Sequence, residues 1–134
     1  MNVTHLLDTD VVIEVLRRRS RTMQARFEAV SGSVAVSSVT AMELHYGVAR
    51  SPRGEGDAAA VRQLFEFVPV LDFGGEAAVH AGRIRAQLAE TGRPICAYDV
   101  MIAGQARSMG LTVATGNVRE FSRVPGLVVE DWLA

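Results

Sequence analysis

Short apolar runs that alternate with longer amphipathic segments set the secondary structure predicted for this chain. The apolar runs, several of them rich in β-branched residues, predict strands at 5–7, 33–37, 68–71, 111–115 and 127–129. Segments with apolar residues at helical spacing predict helices at 8–19, 22–30, 38–47, 57–67, 74–91 and 100–109. Residues 51–56 are predicted to form a loop, and 116–121 a turn or short helix. This alternation predicts a single α/β domain over residues 1–134, with helices flanking a mostly parallel sheet.

Single residues add predictions about packing. Pro69 places its strand at an edge of the sheet, because proline cannot donate a hydrogen bond to a neighbouring strand. Small residues within 101–106 predict a helix that packs close to the sheet, and Cys96 is expected to pack as a small hydrophobic residue. Four residues of the helix at 74–91 are predicted to face the core: Ala78, Val79, Ile84 and Leu88.

The composition is that of a globular protein of 134 residues, of which 49% are hydrophobic. One cysteine allows no internal disulfide. No apolar run is long enough to span a bilayer, and no signal peptide is recognised at the start of the sequence. A cytoplasmic location is therefore expected. The formal net charge of −1 argues weakly against non-specific nucleic-acid binding.

All 14 basic residues are arginines. The Asp8-Thr9-Asp10 segment after a strand resembles the start of haloacid-dehalogenase-like phosphatases, and a strand-end Asp also resembles a receiver domain. Both families place a lysine beside the phosphate, which this chain does not have. A P-loop is excluded because it too needs a lysine, within a glycine-rich loop.

Four acids lie at similar places in the predicted layout. Asp8 follows the first strand, Glu43 is in the helix after the second, Asp99 begins the helix before the fourth, and Glu120 follows that strand. Ligands of open parallel sheets bind beyond the carboxyl ends of the strands, where these acids can converge. Converging carboxylates repel one another unless a cation binds, and their hard oxygens suit Mg²⁺ or Mn²⁺. Such a cation activates water against a phosphate, so phosphodiester hydrolysis is the indicated chemistry.

A structural interpretation of the same acids stays open at this stage. Each one lies near a predicted helix N-terminus, where Asp and Glu are favoured for capping alone. The pair Thr40 and Glu43 even fits the capping-box pattern. Thr9 suits both a helix cap and a hydrogen bond within a metal site.

Four segments together resemble one protein family, the PIN-domain ribonucleases, and within it the VapC-type toxins of toxin–antitoxin pairs. These segments are 7–12, 37–47, 98–103 and 115–121. The resemblance implies a doubly wound α/β/α sandwich with an acidic metal site. It implies a hydrolase, an endoribonuclease that cleaves tRNA or another structured RNA and so inhibits translation. It further implies a VapB-type antitoxin partner and a homodimer.

Matched to the family position by position, Asp8, Glu43 and Asp99 take the core acidic positions that bind Mg²⁺ or Mn²⁺. Asn117 stands where many members have Asp, and Glu120, one helical turn on, is the candidate to supply the missing carboxylate. These two residues complete the predicted catalytic set.

Other interpretations remain open from the sequence. Because Asn117 lacks a charge, a non-catalytic binding module is the second hypothesis, and a nuclease acting on DNA is the third. The basic run at 17–21 suits RNA phosphates, an acidic antitoxin segment, or plain solvent exposure, and Arg83, Arg85 and Arg93 share this ambiguity. His5, His45 and His80 are expected to be structural rather than metal ligands. Tyr46 and Trp132 are expected to lie in the core or at an interface, with stacking on a base as the alternative.

Overall fold

A central sheet of five parallel strands organises the chain, whose computed structural model describes residues 2–134. The strands are β1 (His5–Leu7), β2 (Val34–Ser37), β3 (Val70–Leu71), β4 (Thr112–Thr115) and β5 (Val129–Asp131). The helices are α1 (Thr9–Arg17), α2 (Arg21–Val30), α3 (Ser38–Arg50), α4 (Gly54–Phe67), α5 (Gly75–Glu90), α6 (Ala97–Met109) and α7 (Val118–Phe121). The predicted α/β class with a parallel sheet flanked by helices is confirmed.

The sheet has the strand order β3-β2-β1-β4-β5. The chain therefore runs outward from β1 through β2 to β3, and then returns to continue through β4 to β5 on the other side. In register, Leu6 of β1 pairs with Ala35 and with Val113. As Pro69 predicted, β3 is an edge strand. The point at which the strand order reverses lies between β1 and β4.

Alternating strand residues build a hydrophobic core on each face of the sheet. Leu6 packs with α5, α6 and α7, whereas the next residue, Leu7, packs with α1, α2 and α4. Both leucines are almost fully buried. This alternation follows from the two-residue repeat of a strand and produces the predicted three-layer sandwich.

Several predicted boundaries and one predicted face are wrong. Helix α4 begins at Gly54, inside the predicted loop, since acidic residues in its first turn suit the positive end of the helix dipole. Strand β5 is displaced by two residues from the prediction, because Val129 and not Leu127 pairs with Val113 of β4. Ala78 and Val79 of α5 point outward. The buried stripe of α5 is Ala77, Ala81, Ile84 and Leu88.

The small residues of α6 pack against both the neighbouring helix and the sheet. A Cβ added at Gly104 would lie 2.6 Å from the backbone nitrogen of Ala81 in α5. Ala106 is fully buried in the core that includes Val113 of β4, so the predicted packing against the sheet is also present. Cys96, expected to pack as a small hydrophobic residue, is exposed. Among residues 2–134, no helix combines the length and apolar character needed to cross a membrane.

Candidate active site

The predicted acidic residues meet outside the carboxyl ends of β1 and β4. β1 and β4 are neighbouring parallel strands, but the chain continues from β1 to β2 on one side of the sheet and from β4 to β5 on the other. The segments that follow the two strands therefore separate and leave a crevice. Asp8 follows β1 directly, and Gly116 and Asn117 follow β4. The topology therefore joins positions about 110 residues apart in the sequence.

Asp8 is the most buried acid of the site, with 5% of its surface exposed. It caps α1, accepting a hydrogen bond from the Thr9 backbone N–H at 2.8 Å, and its other oxygen accepts one from the Thr115 hydroxyl at 2.8 Å. Burial raises the pKa of Asp8 to about 8, and repulsion from Asp10 and Asp99 adds to this rise. The capping interpretation is correct for Asp8, yet a cap does not need a carboxyl group held in this unfavourable electrostatic setting.

Glu43 reaches the site from the second turn of α3. Ser37 caps that helix, so the capping box predicted for Thr40 and Glu43 is absent from it. Thr40 is instead fully buried. The Thr9 hydroxyl lies 3.1 Å from Thr40 Oγ1 and donates to Glu43 Oε1 at 2.7 Å. Thr9 of α1 therefore orients the Glu43 carboxylate by a hydrogen bond. It is not the helix cap, because Asp8 caps α1.

Asn117 bridges the two remaining acids. Its Nδ2 donates to Asp99 Oδ2 at 3.3 Å and to Glu120 Oε2 at 3.0 Å. Burial, followed by the contact with Glu120 and repulsion from Glu43, raises the pKa of Asp99 to about 6. The structure thus brings together all five residues singled out in the sequence.

Two neighbours of this cluster were missed by the sequence analysis. Asp10 Oδ2 accepts a hydrogen bond from the Gly116 N–H at 3.0 Å, and its Oδ1 is buried without a partner. Thr115 is fully buried beneath Asp8. The signal for Asp10 was its place two residues after Asp8 at a strand end. Nothing in the sequence distinguished Thr115 from the other threonines.

The donor chemistry of the cluster fits a divalent cation. Its groups are carboxylate and amide oxygens. Burial and mutual repulsion raise the pKa values of Asp8 and Asp99, and one Asp10 oxygen lacks a partner among the described residues. Within residues 2–134, however, no three His, Cys, Asp or Glu side chains already surround a common metal position. Hydrogen bonds from Thr9 and Asn117 engage some of the carboxylate oxygens, and each carboxylate keeps further lone pairs for a cation.

The histidines lie in other contacts. His5 Nε2 is 3.0 Å from Glu130 Oε1, and His80 Nδ1 accepts from Arg107 Nε at 3.0 Å. Trp132 is buried, as expected for a core residue, whereas Tyr46 lies on the surface. Neither histidine contact involves the acidic cluster.

We predict that the metal-free protein loses thermal stability as the pH rises. The folded protein holds protons on Asp8 and Asp99 up to pKa values of about 8 and 6, whereas the unfolded chain releases them near 3.8. Between these values the folded state binds more protons, so the free energy of unfolding falls with increasing pH. Melting temperatures in EDTA should decrease from pH 5 to pH 8, and Mn²⁺ should restore the loss at pH 8. A higher melting temperature in EDTA at pH 8 than at pH 5 would contradict the prediction.

Comparison with known proteins identifies relatives along nearly the whole chain. The sequence model of the PIN domain matches residues 5–127. The chain is 44% identical to the tRNA(fMet)-specific endonuclease VapC of Shigella flexneri, an alignment that covers 95% of this chain and 96% of that protein. It is 38% identical to ribonuclease VapC2 of Haemophilus influenzae, over 96% and 98% of the two chains.

The fold agrees with this likeness. The solved structure of DNA-bound VapBC from Salmonella typhimurium contains a chain that superposes with a TM-score of 0.93 and 42% identity. The match covers 97% of this chain and 98% of that one. Sequence and fold therefore point to the same group of proteins.

Proposed function

We propose that this chain, which belongs to the PIN-domain family, is an endoribonuclease and the toxin of a toxin–antitoxin pair. PIN-domain ribonucleases generally depend on a divalent metal ion. The observation that carries the proposal is the cluster itself: acids from separate parts of the chain converge at the switch between β1 and β4, where burial and mutual repulsion raise the pKa values of Asp8 and Asp99. A bound divalent cation would relieve this repulsion and attract a phosphate.

The residues proposed to hold the cation are Asp8, Glu43 and Asp99. Mg²⁺ or Mn²⁺ is favoured, because all three offer hard oxygen ligands and no sulfur or imidazole lies among them. Asn117 is uncharged and is proposed to support this set. Its amide donates hydrogen bonds to both Asp99 and Glu120 and so holds the two carboxyl groups side by side. Glu120 adds a further carboxylate at the edge of the cluster.

The chemistry proposed is hydrolysis of an RNA phosphodiester bond. A divalent cation supplies, when bound, an activated water and neutralisation of charge on the phosphate. The chain's own groups fix the geometry. The Thr115 hydroxyl and the Thr9 N–H orient Asp8, and the Thr9 hydroxyl orients Glu43. Because these donors come from packed elements, the carboxylates are held in place before substrate arrives.

The substrate and partner proposals rest on the relatives. The VapC relative from Shigella flexneri is named for tRNA(fMet), so we propose tRNA as the substrate class of this chain. The VapBC structure from Salmonella typhimurium supports a VapB-type antitoxin as the partner. A homodimer is proposed from the family resemblance alone. Cleavage of tRNA by such a toxin would inhibit translation.

The test is cleavage of total RNA and of purified tRNA by antitoxin-free protein, with Mg²⁺, with Mn²⁺ and with EDTA. We expect discrete fragments with either metal and none with EDTA. The Asp99→Asn variant should remain folded and give no fragments. Glu76→Gln is the matched control, because Glu76 is also a first-turn helix acid but lies on α5, outside the cluster. Equal cleavage by wild type and Asp99→Asn would contradict the site assignment.

A further inference from the structure

An arginine-lined cavity of about 710 Å³ lies between α1, α3 and α4. Arg17, Arg19 and Arg53 line it, and all three are exposed. Its wall also includes the buried apolar side chains of Leu44 and Val61. Two of these arginines belong to the basic run whose purpose the sequence left open.

The cavity begins about one helical turn from the acidic cluster. At the cluster, the Thr9 hydroxyl joins α1 to α3 by donating to Glu43. Ile13 and Gly47 lie one helical turn further along α1 and α3, about 5.4 Å away, and both line the cavity. Arg17 follows after another turn of α1, about 11 Å from Thr9 along the helix axis. An RNA strand lying across the surface of the two helices can span this distance from the acids to the arginines.

Gly47 is an unexplained residue on this path. Glycine within a helix costs about 1 kcal/mol relative to alanine, and packing often accounts for it. Here a Cβ would meet nothing within 4 Å, and the residue is exposed. Its effect is to leave the groove open where a ligand would cross the backbone of α3.

The charges of the cavity favour an anion. Glu14 contacts both Arg17 and Arg19, and the Asp57 carboxylate accepts a hydrogen bond from Ser51. Three guanidinium groups thus face two carboxylates that are already engaged. Each guanidinium has five N–H donors, so contact with Glu14 still leaves donors of Arg17 and Arg19 for an anion.

The backbone between these arginines is also unusual. Arg18 ends α1 with φ at 54°, a left-handed conformation that non-glycine residues rarely adopt. This turn brings Arg19 back against Glu14, beside Arg17. The strained backbone at Arg18 thereby keeps two arginines on one side of the cavity.

We propose that this cavity binds RNA backbone phosphates adjacent to the one that is cleaved, a proposal that rests on the proposed function. Guanidinium groups bind phosphate oxygens in bidentate pairs and do so without regard to base. RNA is favoured over an acidic protein segment because the arginines lie within about two helical turns of the acids, where a phosphate of the same strand would lie.

The main experiment compares two triple variants for binding of a labelled single-stranded oligoribonucleotide by fluorescence anisotropy in EDTA. Arg17, Arg19 and Arg53 become alanine in one; the exposed Arg83, Arg85 and Arg93 become alanine in the control. The cavity variant should bind on the order of tenfold more weakly. The slope of log affinity against log salt should fall by about 0.7 for each phosphate that the variant no longer neutralises. The control should match wild type in both.

Two single substitutions add independent readouts. Glu14→Gln frees both guanidinium groups of their partner, so RNA affinity should rise. Gly47→Gln narrows the groove and should weaken binding, whereas Gly82→Gln should not. Gly82 is the matched position because it also lies exposed within a helix, with nothing within 4 Å of its missing Cβ.

Wild-type affinity and salt slope in the cavity variant would overturn the proposal. So would loss of poly-glutamate binding with RNA binding unchanged, since the cavity would then serve an acidic protein. Metal-dependent cleavage by wild type is assayed separately. Absence of cleavage, with RNA still bound through these arginines, would reject the proposed nuclease and leave the phosphate site standing.

Discussion

Replacing Asp8 by asparagine is expected to reduce RNA cleavage by about three orders of magnitude or more and, at the same time, to stabilise the protein. Asp8 is proposed to bind the metal, and its amide counterpart carries no charge. In the metal-free fold, burial and repulsion from Asp10 and Asp99 raise the pKa of Asp8 to about 8, so at pH 7 the folded protein takes up a proton that the unfolded chain has released. Asparagine removes this cost of protonation. Stability at pH 7 should increase by up to about 4 kcal/mol, measured by urea unfolding in EDTA.

The hydrogen bonds at Asp8 make this substitution conservative in shape. The side-chain oxygen of asparagine can still accept from the Thr9 N–H, and the Thr115 hydroxyl can rotate to accept from the new amide. Asp72→Asn is the control, because Asp72 is exposed and none of the hydrogen bonds among the described residues joins its carboxyl group to the cluster. A variant that is inactive but less stable than wild type would show that Asp8 acts mainly as a helix cap. An active variant would remove Asp8 from the site.

Replacing Gly104 by alanine is expected to cause the largest loss of stability from a single methyl group. The added Cβ would lie 2.6 Å from the Ala81 nitrogen and 2.7 Å from its Cα. Both are backbone atoms of α5, so α5 and α6 must separate along their shared interface. The cost is roughly 2–3 kcal/mol, which exceeds the gain of about 1 kcal/mol in helix propensity. Denaturant unfolding monitored by circular dichroism measures the difference.

The same substitution at Gly82 of α5 is expected to change stability in the opposite direction. A Cβ at Gly82 meets nothing within 4 Å, so Gly82→Ala should stabilise the fold by up to about 1 kcal/mol. The two substitutions are chemically identical and differ only in what faces the new methyl group. Equal stabilisation by both would show that α5 and α6 are not in close contact.

The order and type of the elements were predictable because their signals are local. The apolar run at 5–7 is the first strand, and the acid directly after it is the cap of α1. Pro69 marked an edge strand for a reason that holds in any sheet. The face of α5 was predicted less well, since Val79 is apolar but lies outside the stripe that contacts α6. Periodicity identifies an amphipathic helix, and the neighbour decides which apolar residues are buried.

The local capping signal at Thr40 was misleading for a related reason. Thr40 and Glu43 have the spacing of a capping box, but Ser37 at the end of β2 starts the helix earlier. Glu43 is thereby moved into the second turn, where its partner is Thr9 from another helix. Ser37 and Thr40 are both suitable N-cap residues in the sequence. The position at which β2 ends in the folded sheet decides that Ser37 is the cap.

The sequence by itself determined the alternation of strands and helices, the parallel sheet, and the placing of acids after the strands. These depend on residues close together in the chain. Only the tertiary structure decided that Thr115 would bind Asp8, that Asn117 would join Asp99 to Glu120, and that Asp10 would be a neighbour of both Asp8 and Asp99. It also decided that Gly104 faces Ala81, and that Arg53 shares a cavity with the arginines of α1. Each of these contacts joins distant segments, and its existence depends on strand order and helix packing, which no local pattern contains.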